Sequence, residues 1–253
     1  MSPTTLGTWN VNGIRKRMPE VVEWIARDRP DFFALQEIKA SPEQIEGALT
    51  AFPDYFSYFH GAAGGYSGVS LHVRKDRSAT MPKFSHPSFD HETRIVQVDL
   101  GELRVASVYI PNGGKDYVAK IAFMKEMIAW VSSVHAEGKQ LIVCGDMNVA
   151  RADIDVHPSQ RKPDIIGQRP EERGLFEAMI APHLVDVGRA QHPDDERMFT
   201  WWPYWREARK RNLGWRLDYV FASTPLAETA KECRVLVDVG TSDHAPVVAT
   251  FDF

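Results

Sequence analysis

Four apolar runs in this chain of 253 residues end abruptly in carboxylates and amides. Leu6 to Trp9 leads into Asn10, Val11 and Asn12, and Phe33 to Leu35 leads into Gln36 and Glu37. Arg104 to Ile110 carries Tyr109 and reaches Asn112, and Leu141 to Cys144 leads into Asp146 and Asn148. A fifth cluster, Ser242, Asp243 and His244, precedes an apolar run instead. Taken singly, each has an ordinary explanation as a turn, a cap or a solvated strand end. All of them together in one chain point to chemistry. If these ends share one edge, Asn10, Asn12, Glu37, Asp146, Asn148, Asp243 and His244 converge into an oxygen-rich pocket with one imidazole. Hard oxygen donors without a thiolate suit magnesium or manganese, and magnesium needs few protein ligands because it keeps several of its waters. Phosphoryl chemistry is the natural use of such a pocket. The metal neutralises developing charge while a carboxylate handles the proton of an attacking water.

The chain has nine histidines, and eight of them have no comparable setting. His244 follows Asp243 and lies in the candidate site. A carboxylate partner would hold its imidazole protonated and aimed at a phosphate, and Asp218 in the run RLDY is the candidate.

The elements that must position these residues read as strands at Leu6 to Trp9, Phe32 to Gln36, Val69 to Val73, Ile95 to Leu100, Arg104 to Ile110, Leu141 to Gly145, Leu217 to Ala222 and Pro246 to Phe251. Between Asp116 and Ala136, the residues Tyr117, Ile121, Met124, Ile128 and Val131 recur at spacings of four and three. That spacing predicts one helical face, capped by Asp116 and ended by Gly138. Proline-led patterns predict further helices over Met18 to Arg27, Pro42 to Ala51 and Pro170 to Ile180. Strands and helices mix without separating into halves, so a single α/β domain over residues 1–253 is expected. Val156 to Arg169 lacks periodicity and reads as a surface loop.

Composition narrows the class. Hydrophobic residues make up 43% and charged residues 25%, ordinary values for a chain with a real core. No apolar run approaches the roughly 20 residues that span a bilayer, and MSPTTLGTWN lacks a signal core, so a cytoplasmic location and no membrane partner are expected. Cys144 and Cys233 stand alone, which argues against a disulfide framework and a zinc site, and Cys144 reads as buried and inert. A net charge of -4 argues against coating nucleic acid by bulk charge. Local clusters can still bind it. The densest, Trp205 to Arg216, holds five basic residues against Glu207, and reads either as a solvated helix face or as a nucleic-acid contact.

A series of segments in this order resembles the exonuclease III family of abasic-site DNA endonucleases, within the wider DNase I-like group of endonucleases, exonucleases and phosphatases. They are TWNVNGIR from Thr8, LQEIK from Leu35, GYSGVS from Gly65, VYIPNGG from Val108, CGDMNVA from Cys144, DIDVH from Asp153, FTWWPYW from Phe199, NLGWRLDY from Asn212 and TSDHAPV from Thr241. QE, GDMN and SDH recur across the wider group, whereas WNVNGIR, YIPNGG and the WW to GWRLDY stretch look like the DNA-repair branch. The resemblance implies a four-layer α/β sandwich, two packed mixed β-sheets flanked by helices, with the active site at one end of the sheets.

It also implies roles. Glu37 is the metal-binding carboxylate, with Asn12 and Asp243 nearby as direct or water-mediated ligands. Asp146 activates or orients the attacking water and Asn148 holds it in line, while His244, paired with Asp218, binds the scissile phosphate. Tyr109 points at the same phosphate, and Asn10 and Asn112 add hydrogen bonds. Trp201 and Trp215 wall a pocket for a flipped, baseless sugar, Trp205 reaches into the duplex, and Lys115 touches DNA. For each tryptophan, core packing is the competing explanation. The implied activity is magnesium-dependent hydrolysis 5′ to an abasic site, with 3′-to-5′ exonuclease and 3′-phosphodiesterase activity at the same centre. The implied partner is double-stranded DNA with abasic sites or 3′ ends, bound by a monomer. Two positions depart from the pattern: Thr93 stands where relatives have glycine, and Ile165 where an asparagine lies close to DNA. A phosphatase or phosphodiesterase acting on a small molecule or lipid is the alternative enzyme, disfavoured by GWRLDY and the tryptophans. A DNA-binding module without catalysis is disfavoured by the complete set of polar site residues.

Overall fold

The computed structural model describes residues 3–41, 43–45, 50–61 and 65–253. The apolar runs form two six-stranded sheets. In spatial order the first holds β11 (Ala230–Val235), β12 (Val247–Phe251), β1 (Thr4–Asn10), β2 (Phe32–Gln36), β4 (Val69–Arg74) and β3 (Tyr55–His60). The second holds β5 (Phe84–Ser85), β6 (Ile95–Leu100), β7 (Leu103–Tyr109), β8 (Gln140–Asp146), β10 (Asp218–Ser223) and β9 (Leu184–Asp186). Besides a piece of helix at residues 43–45, the helices among the described residues are α1 (Ile14–Asp28), α2 (Tyr117–Ala136), α3 (Pro170–Ile180) and the short α4 (Val187–Gln191) and α5 (Thr224–Ala227).

Side-chain alternation separates the layers. Leu6, Ala34 and Leu71 of the first sheet share a buried core with Val105, Ile142, Cys144 and Val220 of the second. The opposite faces of the same strands carry Trp9, Phe33 and Leu35, which pack on Val21, Trp24 and Ile25 of α1. On the other side Ala106, Val108, Leu141 and Val143 meet Met124, Met127 and Val131 of α2 and Phe176 of α3. Helix, sheet, sheet and helix make the four layers of a DNase I-like α/β sandwich. Strands covered on both faces become near-continuous apolar runs, which is why the inner strands were readable.

The structure adjusts three helices. α1 begins at Ile14, a turn before the expected Met18, and keeps Pro19 inside it. α2 starts where Asp116 accepts the Ala119 N–H at 2.9 Å, as expected of a cap, and buries Ile121, Met124 and Val131 as expected, but the face is completed by Lys120, Met127, Trp130 and Val134 rather than by Tyr117 and Ile128. Of the helix expected over Pro42 to Ala51, residues 43–45 are helical and 50–51 form a turn, while 42 and 46–49 lie outside the described residues.

Topology brings the polar strand ends together. β1 runs parallel to β2, joined by α1, and β7 runs parallel to β8, joined by α2, so each pair ends on one edge. β12 is antiparallel to β1, with Val247 opposite Thr8, so the residues just before it reach that same edge. In the second sheet Tyr109 lies opposite Asp146, and Asp146 opposite Asp218, making a row of three polar residues across β7, β8 and β10.

Candidate active site

Two strand ends use the same turn. The Asn10 Oδ1 accepts the Asn12 N–H at 3.0 Å, and the Asp146 Oδ1 accepts the Asn148 N–H at 2.9 Å. In both turns the third residue is left-handed, Asn12 (φ 43°) and Asn148 (φ 50°), a conformation that asparagine tolerates. Glu37 is also left-handed, at φ 49°, which for this side chain stores strain of about 1–3 kcal/mol. Gly145 (φ 136°) lets β8 close onto β7, because a Cβ there would collide with the Val108 carbonyl oxygen.

These turns aim their side chains inward. The Asn10 amide donates to both carboxylates, to Glu37 Oε1 at 3.0 Å and Asp146 Oδ2 at 2.8 Å. The Asn148 amide donates to the Ile110 carbonyl at 2.9 Å and to Asp146 Oδ2 at 3.2 Å, and its Oδ1 accepts from the Asn112 amide at 3.1 Å. His244 Nδ1 lies 2.8 Å from Asp218 Oδ2, which leaves Nε2 facing Asp146 Oδ2 at 3.9 Å. Asp243 accepts from Asn12 at 2.9 Å, Trp201 Nε1 at 3.1 Å and the Tyr204 hydroxyl at 3.2 Å.

Burial and charge set the protonation states. Burial, reinforced by the charges of Asp218 and Glu37, pushes the Asp146 carboxyl up to about 7. For His244 burial alone would favour the neutral ring, but the Asp218 and Asp146 carboxylates raise it to about 10. The imidazole is therefore a cation at neutral pH, with its Nε2–H free to meet an anion. Burial, with Glu37 and Asp146 nearby, raises the Tyr109 hydroxyl well above its ordinary value, so it remains a donor. Burial also works against ionised Glu37, yet hydrogen bonds from Lys39 and Asn10 hold it below the usual carboxylate range.

The donor set fits a hard divalent cation. Oxygen or nitrogen atoms of Glu37, Asp146 and His244 lie within 4.8 Å of one another. The two carboxylates are the hard oxygen donors of this group, while the His244 ring is already engaged through Nδ1 by Asp218. Lys39 shows how the site receives positive charge: its ammonium lies 2.6 Å from Glu37 Oε2 and 2.6 Å from Asn12 Oδ1. Asp243 stands one step away, bonded through Asn12.

A cleft of about 450 Å³ opens over this network, lined by Glu37, Tyr109 and His244 on its polar side and by Ile165, Trp201 and Trp215 on its apolar side. The structure thus brings together Asn10, Asn12, Glu37, Tyr109, Asn112, Asp146, Asn148, Trp201, Trp215, Asp218, Asp243 and His244. Trp205 is 53% exposed and lies outside the cleft lining, and Lys115 stands farther out, with its ammonium 5.7 Å from the Tyr66 ring. The loop over Val156 to Arg169 contributes Ile165, Ile166 and Gly167 to the wall.

The basic run is a series of turns, not a helix. Arg216 is buried, paired with Asp155 at 2.7 Å and Asp186 at 2.7 Å, so it supports the fold rather than a ligand. Arg209 is bound to the carbonyls of Val237, Val239 and Ser242. Arg206, Lys210 and Arg211 remain exposed. Sequence reasoning missed Lys39, Arg94, whose guanidinium lies 4.9 Å from the Tyr109 ring, and Tyr204, which bridges Asn12 and Asp243. Lys39 and Tyr204 stand inside the segments LQEIK and FTWWPYW, which was their only signal, and Arg94 follows the departing Thr93.

Residues 7–244 match the model of the endonuclease/exonuclease/phosphatase family. The exodeoxyribonuclease of Bacillus subtilis is 29% identical over 95% of this chain and 96% of its own length. The recombination repair protein 1 of Drosophila melanogaster is 30% identical over 97% of this chain, which spans 36% of that longer protein. The structure of an AP endonuclease from Archaeoglobus fulgidus superposes with a TM-score of 0.87 at 26% identity, covering 99% of this chain and 100% of the other.

Proposed function

Because the chain belongs to the endonuclease/exonuclease/phosphatase family, whose chemistry is metal-dependent phosphodiester hydrolysis, we propose that it is a DNA-repair endonuclease cutting 5′ to abasic sites in duplex DNA. The observation that carries the reading is the pairing of two halves in one cleft: a buried Asp146 held by Asn148 beside a cationic His244, and an apolar wall of Trp201, Trp215, Leu217 and Ile165. A baseless sugar suits an aromatic wall whose indole N–H groups are already taken, by Asp243 for Trp201 and by Gln160 for Trp215. Relatives and neighbours carry the names exodeoxyribonuclease and AP endonuclease, and we extend both activities to this centre, including 3′ end processing.

Each residue then has a task. Asp146 takes the proton of the attacking water, and its elevated proton affinity suits a base working near neutral pH. Asn148 holds both oxygens of that carboxylate, through its backbone N–H and its side-chain amide. The His244 Nε2–H donates to the phosphate oxygen as charge grows, with Asp218 fixing the ring through Nδ1. Tyr109 and Asn112 donate from beside them, and the Asn10 amide bridges the two carboxylates. Glu37, with Asn12 and Asp243 nearby, would hold a magnesium ion, which supplies charge neutralisation at the phosphate when bound. Lys115 and Trp205, both outside the cleft lining, would meet the duplex beyond it. Among the described residues no helix is long and apolar enough to cross a membrane. We place the protein in the cytoplasm as a monomer.

The test is substrate choice. With magnesium, a duplex bearing one abasic analogue should be nicked on the 5′ side to leave a 3′-hydroxyl, chelator should abolish the cut, and inositol phosphates should be poor substrates. Faster turnover of a small phosphate ester than of the abasic duplex would reject this reading in favour of a phosphatase.

A further inference from the structure

We propose that Lys120 is a positioning residue for hydrolysis, a buried ammonium that fixes the Asn112 and Asn148 loops to one another and, through Glu172, to the apolar wall of the cleft; the inference rests on the function proposed above. Lys120 and Glu172 are both fully buried, with Nζ 2.5 Å from Glu172 Oε1. The ammonium has three protons and three acceptors. Besides Glu172 they are the Asn148 carbonyl at 2.7 Å and the Asn112 carbonyl at 3.3 Å. Glu172 in turn accepts the Gly167 N–H at 2.8 Å and the Arg169 N–H at 3.2 Å. One ion pair therefore ties three loops: the one carrying Asn112, the one carrying Asn148, and the one placing Ile165 and Ile166 against the tryptophans.

The fit around it is close. Gly113 (φ 86°) lies so near that a Cβ would stand 2.8 Å from Lys120 Cδ, and at Gly167 (φ 90°) a Cβ would stand 3.1 Å from the Trp215 ring and 3.3 Å from the Asn148 carbonyl oxygen. Burial lowers the proton affinity of Lys120, partly offset by Glu172. A buried ion pair is a poor source of stability, because well-packed apolar residues of similar size commonly do as well or better. What apolar residues cannot do is bond two carbonyls. The Asn148 side chain is held by Ile110, Asn112 and Asp146, and Lys120 holds its peptide from the other side, so the group that aligns Asp146 is fixed at both ends.

Three proteins separate positioning from mere support: wild type, Glu172→Gln, and the double variant Lys120→Met/Glu172→Gln. Glu172→Gln keeps the ammonium on both carbonyls but leaves it without a counter-ion. The double variant has no buried charge but loses both carbonyl bonds. Chemical denaturation should rank the double variant as the more stable of the two. Steady-state cutting of the abasic duplex should rank them the other way, with kcat of the double variant lowered about 30-fold and KM within about threefold of wild type. The side-chain amide NMR signals of Asn112 and Asn148 should shift in the double variant and remain near wild type in Glu172→Gln. Activity that follows stability, a double variant with wild-type kcat, or unmoved amide signals would each overturn the proposal. Failure of wild type itself to cut would instead overturn the functional reading beneath it.

Discussion

At the scale of single residues, the site depends on pairs in which one member sets the state of the other. His244 is a cation because burial, which favours the neutral ring, is outweighed by Asp218 and Asp146. Removing the Asp218 charge while keeping its shape should therefore lower the His244 pKa toward its ordinary value and cost turnover. Asp218→Asn is expected to lose about 100-fold in kcat, and an NMR titration of His244 should show its midpoint moved down. An unmoved midpoint would mean that Asp218 does not control the ring. Residues of this kind were legible because amide and carboxylate types at strand ends are conspicuous. Lys39, Arg94, Lys120 and Tyr204 were not, since nothing in the type of a lone lysine, arginine or tyrosine separates one that faces solvent from one that grips a carbonyl, a ring or a carboxylate. Lys120 even falls within a helix whose apolar spacing found Ile121, Met124 and Val131 of the buried face but gave no reason to place a lysine beside them.

Among the elements, the inner strands were readable and the outer ones were not. The eight strands anticipated from apolar runs are β1, β2, β4, β6, β7, β8, β10 and β12, which fill every interior position of both sheets. The four that escaped, β3, β5, β9 and β11, are the four edges. Edge strands are short or half-solvated: β5 has two residues, β9 three, and β11 buries only Cys233. The inner strand β4 also carries a titratable group within its buried run. His72 stacks on Phe33 at 3.9 Å between centroids and bonds Ser57 at 2.8 Å and Ser70 at 2.9 Å. Burial lowers its folded pKa well below 6.5, so its contribution to stability is present above that unfolded value and is lost as pH falls through it toward the folded value. The stability difference between wild type and His72→Gln, from urea unfolding, should shrink by about 1 kcal/mol between pH 7.5 and pH 5.5. A difference that does not change with pH would contradict this role.

For the whole molecule, the arrangement matters more than the composition. One sheet supplies Asn10 and Glu37 and the approach to β12 that carries Asp243 and His244, while the other supplies Tyr109, Asp146 and Asp218. Neither sheet holds a complete site, so we propose that residues 1–253 act as one unit. Net charge of -4 gave no hint of a nucleic-acid substrate, because it sums 30 basic against 34 acidic residues and says nothing of where charge sits, such as the exposed Arg206, Lys210 and Arg211 on one stretch of turns. Nor could sequence show that Arg216, in the same run, is committed to Asp155 and Asp186 inside the fold. The central claim is that Asp146 drives attack on the phosphodiester beside a baseless sugar. Its most direct test is single-turnover cutting of a duplex with one abasic analogue by wild type and Asp146→Asn, with magnesium and with the affinity of each protein for that duplex measured in parallel. The expected result is a cut 5′ to the lesion by wild type and a rate lower by about 100- to 10,000-fold for the variant at similar affinity. A variant that cuts at the wild-type rate would contradict the account.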